Sequence, residues 1–112
     1  HINMKFDLNT AEMKSFPNFK GGEGAMSAFM YFDGTNRILN ARLTPGSSIG
    51  EHLHDSGSEI MFFTSGEGKA VCDRVEETLC AGVCHYCPKG SRHTVINTGN
   101  EDLCFYAVVA EQ

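Results

Sequence analysis

Long apolar runs are missing from this 112-residue sequence, and none approaches the roughly 18 residues that a membrane-spanning helix needs. Basic residues are also few: nine stand against fourteen acidic ones, scattered along the chain, for a net charge of −5. Nucleic-acid binders usually gather Lys and Arg into a patch, so this balance disfavours a phosphate backbone as partner. The sequence therefore predicts a soluble protein with neither a membrane nor a nucleic acid as its partner.

Signals for export and for a second domain are absent as well. Residues 1–3 lack the charged and apolar pattern of a secretion signal and resemble vector-derived residues, so we expect Met4 to be the natural start. The five cysteines are an odd number, and at least one free thiol is easiest to maintain in a reducing cytosol. A chain of 112 residues has room for one hydrophobic core, and the sequence contains neither an internal repeat nor a linker between domains. We expect a single cytoplasmic domain over residues 1–112.

Turn-forming residues are abundant, because twelve glycines and three prolines divide the chain into short segments. The segments between them are rich in β-branched and aromatic residues, which favours strands. The predicted strands are residues 28–32, 37–43, 59–64, 69–72, 75–79, 94–97 and 103–109. Short connections between them favour antiparallel neighbours, and therefore an all-β fold. The one predicted helical turn covers residues 10–14, with Thr10 as its N-cap.

Two stretches carry residues that can bind a metal. The first, from Gly46, reads GSSIGEHLHDSGSEIMFFTSG, and the second, from Gly82, reads GVCHYCPKGSRHTVIN. His52 and His54 are two residues apart, so in an extended strand both side chains point the same way. A polar bend follows, after which Glu59 can present its carboxylate to the same place. His93 follows the turn around Gly90 in the second stretch.

Both stretches resemble the paired motifs of the cupin family, G(X)5HXH(X)3,4E(X)6G and G(X)5PXG(X)2H(X)3N. All ten specified positions match at the allowed spacings, and the resemblance covers residues 37–109. It implies a jelly-roll barrel, or double-stranded β-helix, of two antiparallel sheets with a metal inside. The metal ligands that it implies are His52, His54, Glu59 and His93.

Three imidazoles and one carboxylate suit one divalent transition metal, namely Mn, Fe, Co, Ni or Zn. Four protein ligands on an ion that accepts six leave about two positions for water, dioxygen or a bidentate substrate. Cupins similar to this chain include isomerases, lyases, decarboxylases and dioxygenases. The resemblance therefore implies a metal-dependent enzyme for a small polar carboxylate or sugar-like metabolite, of the isomerase or lyase type before the dioxygenase type. The alternative is a non-catalytic module that binds or senses its ligand through the metal.

The resemblance also implies a homodimer, formed with residues before about Asp33, but it assigns no catalytic residue. Strand alternation places Met61, Phe63 and Val95 on the metal-facing side, where they would either fill the barrel core or line a substrate pocket. Arg42 precedes the first motif, and its guanidinium would either hold a substrate carboxylate or lie at the surface.

The second motif contains Cys84 and Cys87 with His85 between them, which would suggest a second zinc site or a redox pair. Residues three apart in a strand face opposite sides, so the geometry argues against chelation of one ion by both thiols. His85 itself would be a proton shuttle or an ordinary polar residue. We expect Asn97, the last residue of the motif, to have a structural role at a turn or strand edge.

Overall fold

Ten strands form two antiparallel sheets in this computed structural model, which describes residues 5–112. The expectation that residues 1–3 are vector-derived and that Met4 is the start thus lies outside the described residues. The strands are β1 Lys14–Pro17, β2 Ala25–Phe32, β3 Asn36–Leu43, β4 Ser48–Leu53, β5 Gly57–Ser65, β6 Glu67–Cys72, β7 Val75–Cys80, β8 Cys84–Cys87, β9 Arg92–Asn97 and β10 Leu103–Glu111. The larger sheet has the order β1-β2-β3-β10-β5-β8, and the smaller has β4-β9-β6-β7. The predicted all-β jelly roll is confirmed.

The core lies between the two sheets and follows from period-two alternation along the strands. On β5 and β10, Met61, Phe63, Phe105 and Ala107 are buried, whereas Phe62 and Tyr106 between them face outward. The rings of Phe63 and Phe105 lie 5.3 Å apart. Each sheet thus presents one apolar face inward, and the metal-ligand candidates project from the same inner faces.

The connection between β5 and β6 depends on Gly66. Its φ is +88°, and a Cβ there would lie only 2.3 Å from the carbonyl oxygen of Asp102. Any side chain would be strained in this conformation and would also collide with the backbone. The first motif ends with this glycine because the chain must turn tightly against the segment before β10.

The structure contains each predicted strand and adds three, namely β1, β4 and β8. The predicted helical turn over residues 10–14 is wrong. The amides of Thr10 and Ala11 instead donate to the carbonyl oxygen of Asp7, whose side chain also accepts a hydrogen bond from the amide of Asn9. Asp7 therefore organises a local turn, and Lys14 already begins β1. Within residues 5–112, no helix has the length and apolar character required to traverse a bilayer.

Candidate metal centre

Residues of both sheets meet at one cluster. His52 on β4 lies opposite His93 on β9 in the smaller sheet, while Glu59 reaches the cluster from β5 of the larger sheet. His54 follows directly after β4. One ligand atom from each of the four residues lies within 4.8 Å of the others, so the group can hold a metal ion. The sequence prediction that these side chains converge is therefore met in the geometry.

The four side chains direct their donor atoms at a common point. The Nε2 atom of His54 lies 3.1 Å from Nε2 of His52 and 3.0 Å from Nε2 of His93. Glu59 Oε1 lies 3.2 Å from Nε2 of His54 and 3.1 Å from Nε2 of His93. The centroids of the three rings are 4.7–4.8 Å apart in edge-to-face arrangements. Three imidazole nitrogens and one carboxylate oxygen thus surround a single position.

The outer nitrogens of two rings fix where the protons lie. His52 Nδ1 is 2.7 Å from the carbonyl oxygen of Gly50, which can only accept, so Nδ1 carries the proton of the neutral ring. His93 Nδ1 is 2.9 Å from Nε2 of His85, and His85 Nδ1 is 2.7 Å from a carboxylate oxygen of Glu77. When His93 and His85 are both neutral, Nδ1 of His93 donates to Nε2 of His85, and Nδ1 of His85 donates to the carboxylate of Glu77. The Nε2 atoms of His52 and His93 therefore present lone pairs to the cluster.

This proton arrangement fits a bound cation. A neutral His54 has at most one proton to share among the lone pairs of His52 and His93 and the carboxylate of Glu59. A divalent ion at the centre would satisfy all four donors at once, and mixed imidazole and carboxylate ligands suit transition metals. The donor chemistry therefore agrees with the metal type expected from the sequence.

Burial and neighbouring charges keep the cluster ready to bind a cation at neutral pH. Burial lowers the pKa of His52 to about 4, with smaller contributions from His93 and His54, so its ring is neutral at pH 7. Burial alone would raise the pKa of Glu59, but the adjacent imidazoles of His54 and His93 outweigh it and lower that pKa to about 2. Metal binding at pH 7 thus requires no deprotonation of His52 or Glu59.

A cavity of about 190 Å³ opens beside the cluster. His52, His54 and Glu59 form part of its wall, and Met30, Leu39 and Phe105 supply an apolar part. Its charged lining residues are Lys20, Arg37, Asp55 and Glu111. The small volume favours a ligand of few atoms, since pockets that bind drug-sized ligands have volumes of roughly 300–1,000 Å³.

Arg37 is the functional candidate that sequence reasoning missed. It lies on β3 and lines the cavity, its guanidinium lies 4.4 Å from the centroid of Phe32, and its buried Nε has no hydrogen-bond partner among the described residues. Strand alternation carries the signal for it, because Leu39 and Ala41 point inward and residue 37 shares their face.

The structure brings none of the predicted pocket residues to this cavity. Met61, Phe63 and Val95 are at most 2% exposed and belong to the apolar core, which was the other role considered for them. Arg42 is exposed, 4.0 Å from Asp102, and lines a depression on the outer face of the larger sheet. It lies there because residue 42 alternates with the buried Ala41 and Leu43. For all four, contact with a ligand stays a prediction.

Two further expectations for the second motif agree with the structure. Cys84 is exposed and Cys87 is buried, so the two thiols face opposite sides of β8. The buried Asn97 donates to the carbonyl oxygens of Leu43 and Glu101 and accepts from the amide of Gly99. Asn97 thus has the structural role that we predicted.

Comparison with known proteins places this geometry in a family. Residues 40–109 match the family model described as "Cupin domain". A curated relative, the oxalate-binding protein of Thermotoga maritima, is 32% identical over 98 residues, which is 82% of this chain and 81% of the relative.

Solved structures agree. A predicted oxalate decarboxylase from Thermotoga maritima superimposes with a TM-score of 0.90 at 28% identity, covering 97% of this chain and 100% of that one. The Cnp3 cupin domain of Schizosaccharomyces pombe has a TM-score of 0.81 at 10% identity, covering 96% and 74%, and shows the fold alone. From the two motifs, the jelly-roll topology and these matches, the chain belongs to the cupin family.

Proposed function

We propose that His52, His54, Glu59 and His93 bind one divalent transition metal, and that the adjacent cavity binds a small carboxylate that chelates this ion. One observation supports this most directly: the four donor atoms converge beside a small cavity that also contains a buried, unpartnered guanidinium nitrogen. The names of the Thermotoga relatives support a dicarboxylate of the size of oxalate as the ligand to test first.

Arg37 is the feature of the cavity that favours an anionic ligand. Two of the carboxylates that line it have partners: Glu59 contacts two imidazoles, and Glu111 accepts a hydrogen bond from Ser56. Arg37 Nε, by contrast, has no acceptor, and buried donors normally have one. A carboxylate is the acceptor that matches a guanidinium best. A ligand with two carboxylates could satisfy Arg37 at one end and the metal at the other.

We propose an isomerase or lyase activity on this ligand, before a dioxygenase activity. When bound, the metal would act as a Lewis acid that polarises a carbonyl or carboxylate and, as Mn or Fe, would also permit redox chemistry. The chain's own residues orient the ligand, exclude water with the apolar wall and hold positive charge at Arg37 and Lys20. The alternative, binding without turnover, is supported by the relative named as an oxalate-binding protein.

Metal analysis and calorimetry test the proposal together. Protein purified without added metal should contain close to one transition-metal ion per chain, and His52→Ala combined with His54→Ala should contain none. Titration of oxalate should give heat only with metal-loaded wild-type protein. A folded double variant that keeps its full metal content would refute the ligand assignment. Loss of oxalate with a new product by ¹³C NMR would indicate a lyase, oxygen uptake a dioxygenase, and saturable binding without turnover the alternative.

We also propose a homodimer in the cytoplasm. The outer face of the larger sheet exposes Phe62, Tyr86 and Tyr106 on the adjacent strands β5, β8 and β10, and contiguous exposed aromatics often mark an interface. In the same sheet, two strands away from β10, Phe6 packs against Phe29 and Tyr31 of β2. This position supports the participation of residues before Asp33. The five free cysteines support a reducing compartment.

A further inference from the structure

Behind the candidate metal ligand His93 lies a hydrogen-bonded chain that crosses three strands. Glu77 on β7 contacts His85 on β8 at 2.7 Å, and His85 contacts Nδ1 of His93 on β9 at 2.9 Å. The two imidazole planes are nearly parallel, at 17°. β7 and β8 are edge strands of different sheets, so this chain joins the two sheets at their open edge.

The contacts of His85 and Glu77 define one arrangement of protons along this hydrogen-bonded chain. The side chain of His85 has no exposed surface, and both of its ring nitrogens are used, whereas Glu77 is half exposed and keeps its contact with solvent. The carboxylate of Glu77 accepts from Nδ1 of His85, so the neutral His85 has a lone pair at Nε2. That lone pair accepts from Nδ1 of His93. The Nε2 atom of His93 is then unprotonated and faces the three other donors.

We propose that Glu77 and His85 are positioning residues that select the metal-binding tautomer of His93 and fix the plane of its ring. This inference rests on the proposed metal site. Ligands of bound metals commonly need such a partner, and loss of one typically weakens metal binding about 10- to 100-fold. His52 has a different partner, the backbone carbonyl oxygen of Gly50, which no side-chain substitution removes. Of these two histidines, His93 is thus the one whose orientation depends on other side chains.

Three variants separate positioning from simple packing. Glu77→Ala removes the carboxylate, Glu77→Gln keeps an acceptor oxygen for His85, and His85→Phe keeps a ring but offers His93 no acceptor. Glu76→Ala is the matched control, because Glu76 is the neighbouring residue on β7 and pairs with Lys69 at 2.9 Å on the other face.

The measurements are Co²⁺ affinity by chelator competition, the visible spectrum of the Co²⁺ protein, and the tautomer of His93 in the metal-free protein by long-range ¹H–¹⁵N NMR. We expect Glu77→Ala and His85→Phe to bind Co²⁺ about 10- to 100-fold more weakly. We also expect an altered Co²⁺ spectrum in both variants and a protonated Nε2 population in His93. Glu77→Gln should restore most of the affinity, and Glu76→Ala should match the wild type.

Wild-type affinity, spectrum and tautomer in both Glu77→Ala and His85→Phe would overturn the inference and leave the metal site intact. The inference would also be overturned if the Co²⁺ affinity fell only in proportion to the urea midpoint of the metal-free variants while the tautomer of His93 stayed unchanged. If His85→Phe does not fold, Glu77→Ala and the wild-type tautomer still decide the question. Failure of the wild-type protein to bind any transition metal would instead refute the proposed function.

Discussion

Asn97→Ala should destabilise the protein strongly without touching the metal ligands. Asn97 is 2% exposed and makes three side-chain hydrogen bonds of 2.8–2.9 Å, to Leu43, Glu101 and Gly99. Each bond contributes about 1 kcal/mol net, and carbonyls left buried without a partner add to the cost, so we expect a loss of about 3 kcal/mol. For a domain of this size, that loss lowers Tm by roughly 12 °C.

Urea unfolding of metal-free Asn97→Ala, with thermal unfolding beside it, measures this effect. Asn100→Ala is the control, since Asn100 is exposed in the same loop and makes no side-chain hydrogen bond within residues 5–112. Asn97→Asp should be at least as unstable as Asn97→Ala, because it keeps the acceptor for Gly99 but turns a carboxylate oxygen toward two carbonyls. A loss below about 1 kcal/mol in Asn97→Ala would refute the reasoning, since one ordinary hydrogen bond accounts for that much.

Three further predictions concern single side chains. Burial and the nearby Cys72 raise the pKa of the Cys87 thiol to about 12. Native Cys87 should therefore resist iodoacetamide even at pH 9, where the exposed Cys84 reacts. Mass spectrometry of the labelled peptides checks this. Arg37→Met should weaken oxalate binding to the metal-loaded protein on the order of 10- to 100-fold in calorimetry, because charge-assisted hydrogen bonds contribute about 1.5–3 kcal/mol. An affinity equal to that of Arg42→Met would contradict the pocket assignment. Phe62→Ser should shift the mass in light scattering from dimer to monomer, and an unchanged dimer would exclude this face.

The metal cluster was predictable because its four residues occupy specified positions of the two motifs that resemble those of cupins. The spacing of His52 and His54 and the motif positions of Glu59 and His93 specify side chains on strand faces, and alternation then directs them inward. The structural role of Asn97 was implied by the resemblance to the second cupin motif, of which it is the last specified residue. Among the strands, β4 was missed because Gly50 and Glu51 give it weak propensity, and its pairing with β9 stabilises it instead.

The parts that could not be predicted depend on which strands become edges. Alternation can place His85 inward, but its contact with Glu77 exists only because the edges of two different sheets meet there.

The choice of Arg42 over Arg37 for the ligand pocket came from proximity to the first motif, whereas the inward face of β3 was already indicated by Leu39 and Ala41.

Because the donor atoms belong to two different sheets, the distances between these atoms depend on the distance between the sheets. His52 and His93 lie on one layer and Glu59 on the other, so we expect core side chains that act as spacers between the layers, such as Ile49 and Phe105, to influence the distances between the donor atoms. Enlarging or shrinking a spacer should therefore retune which ion radius is preferred, even though the spacer never contacts the ion.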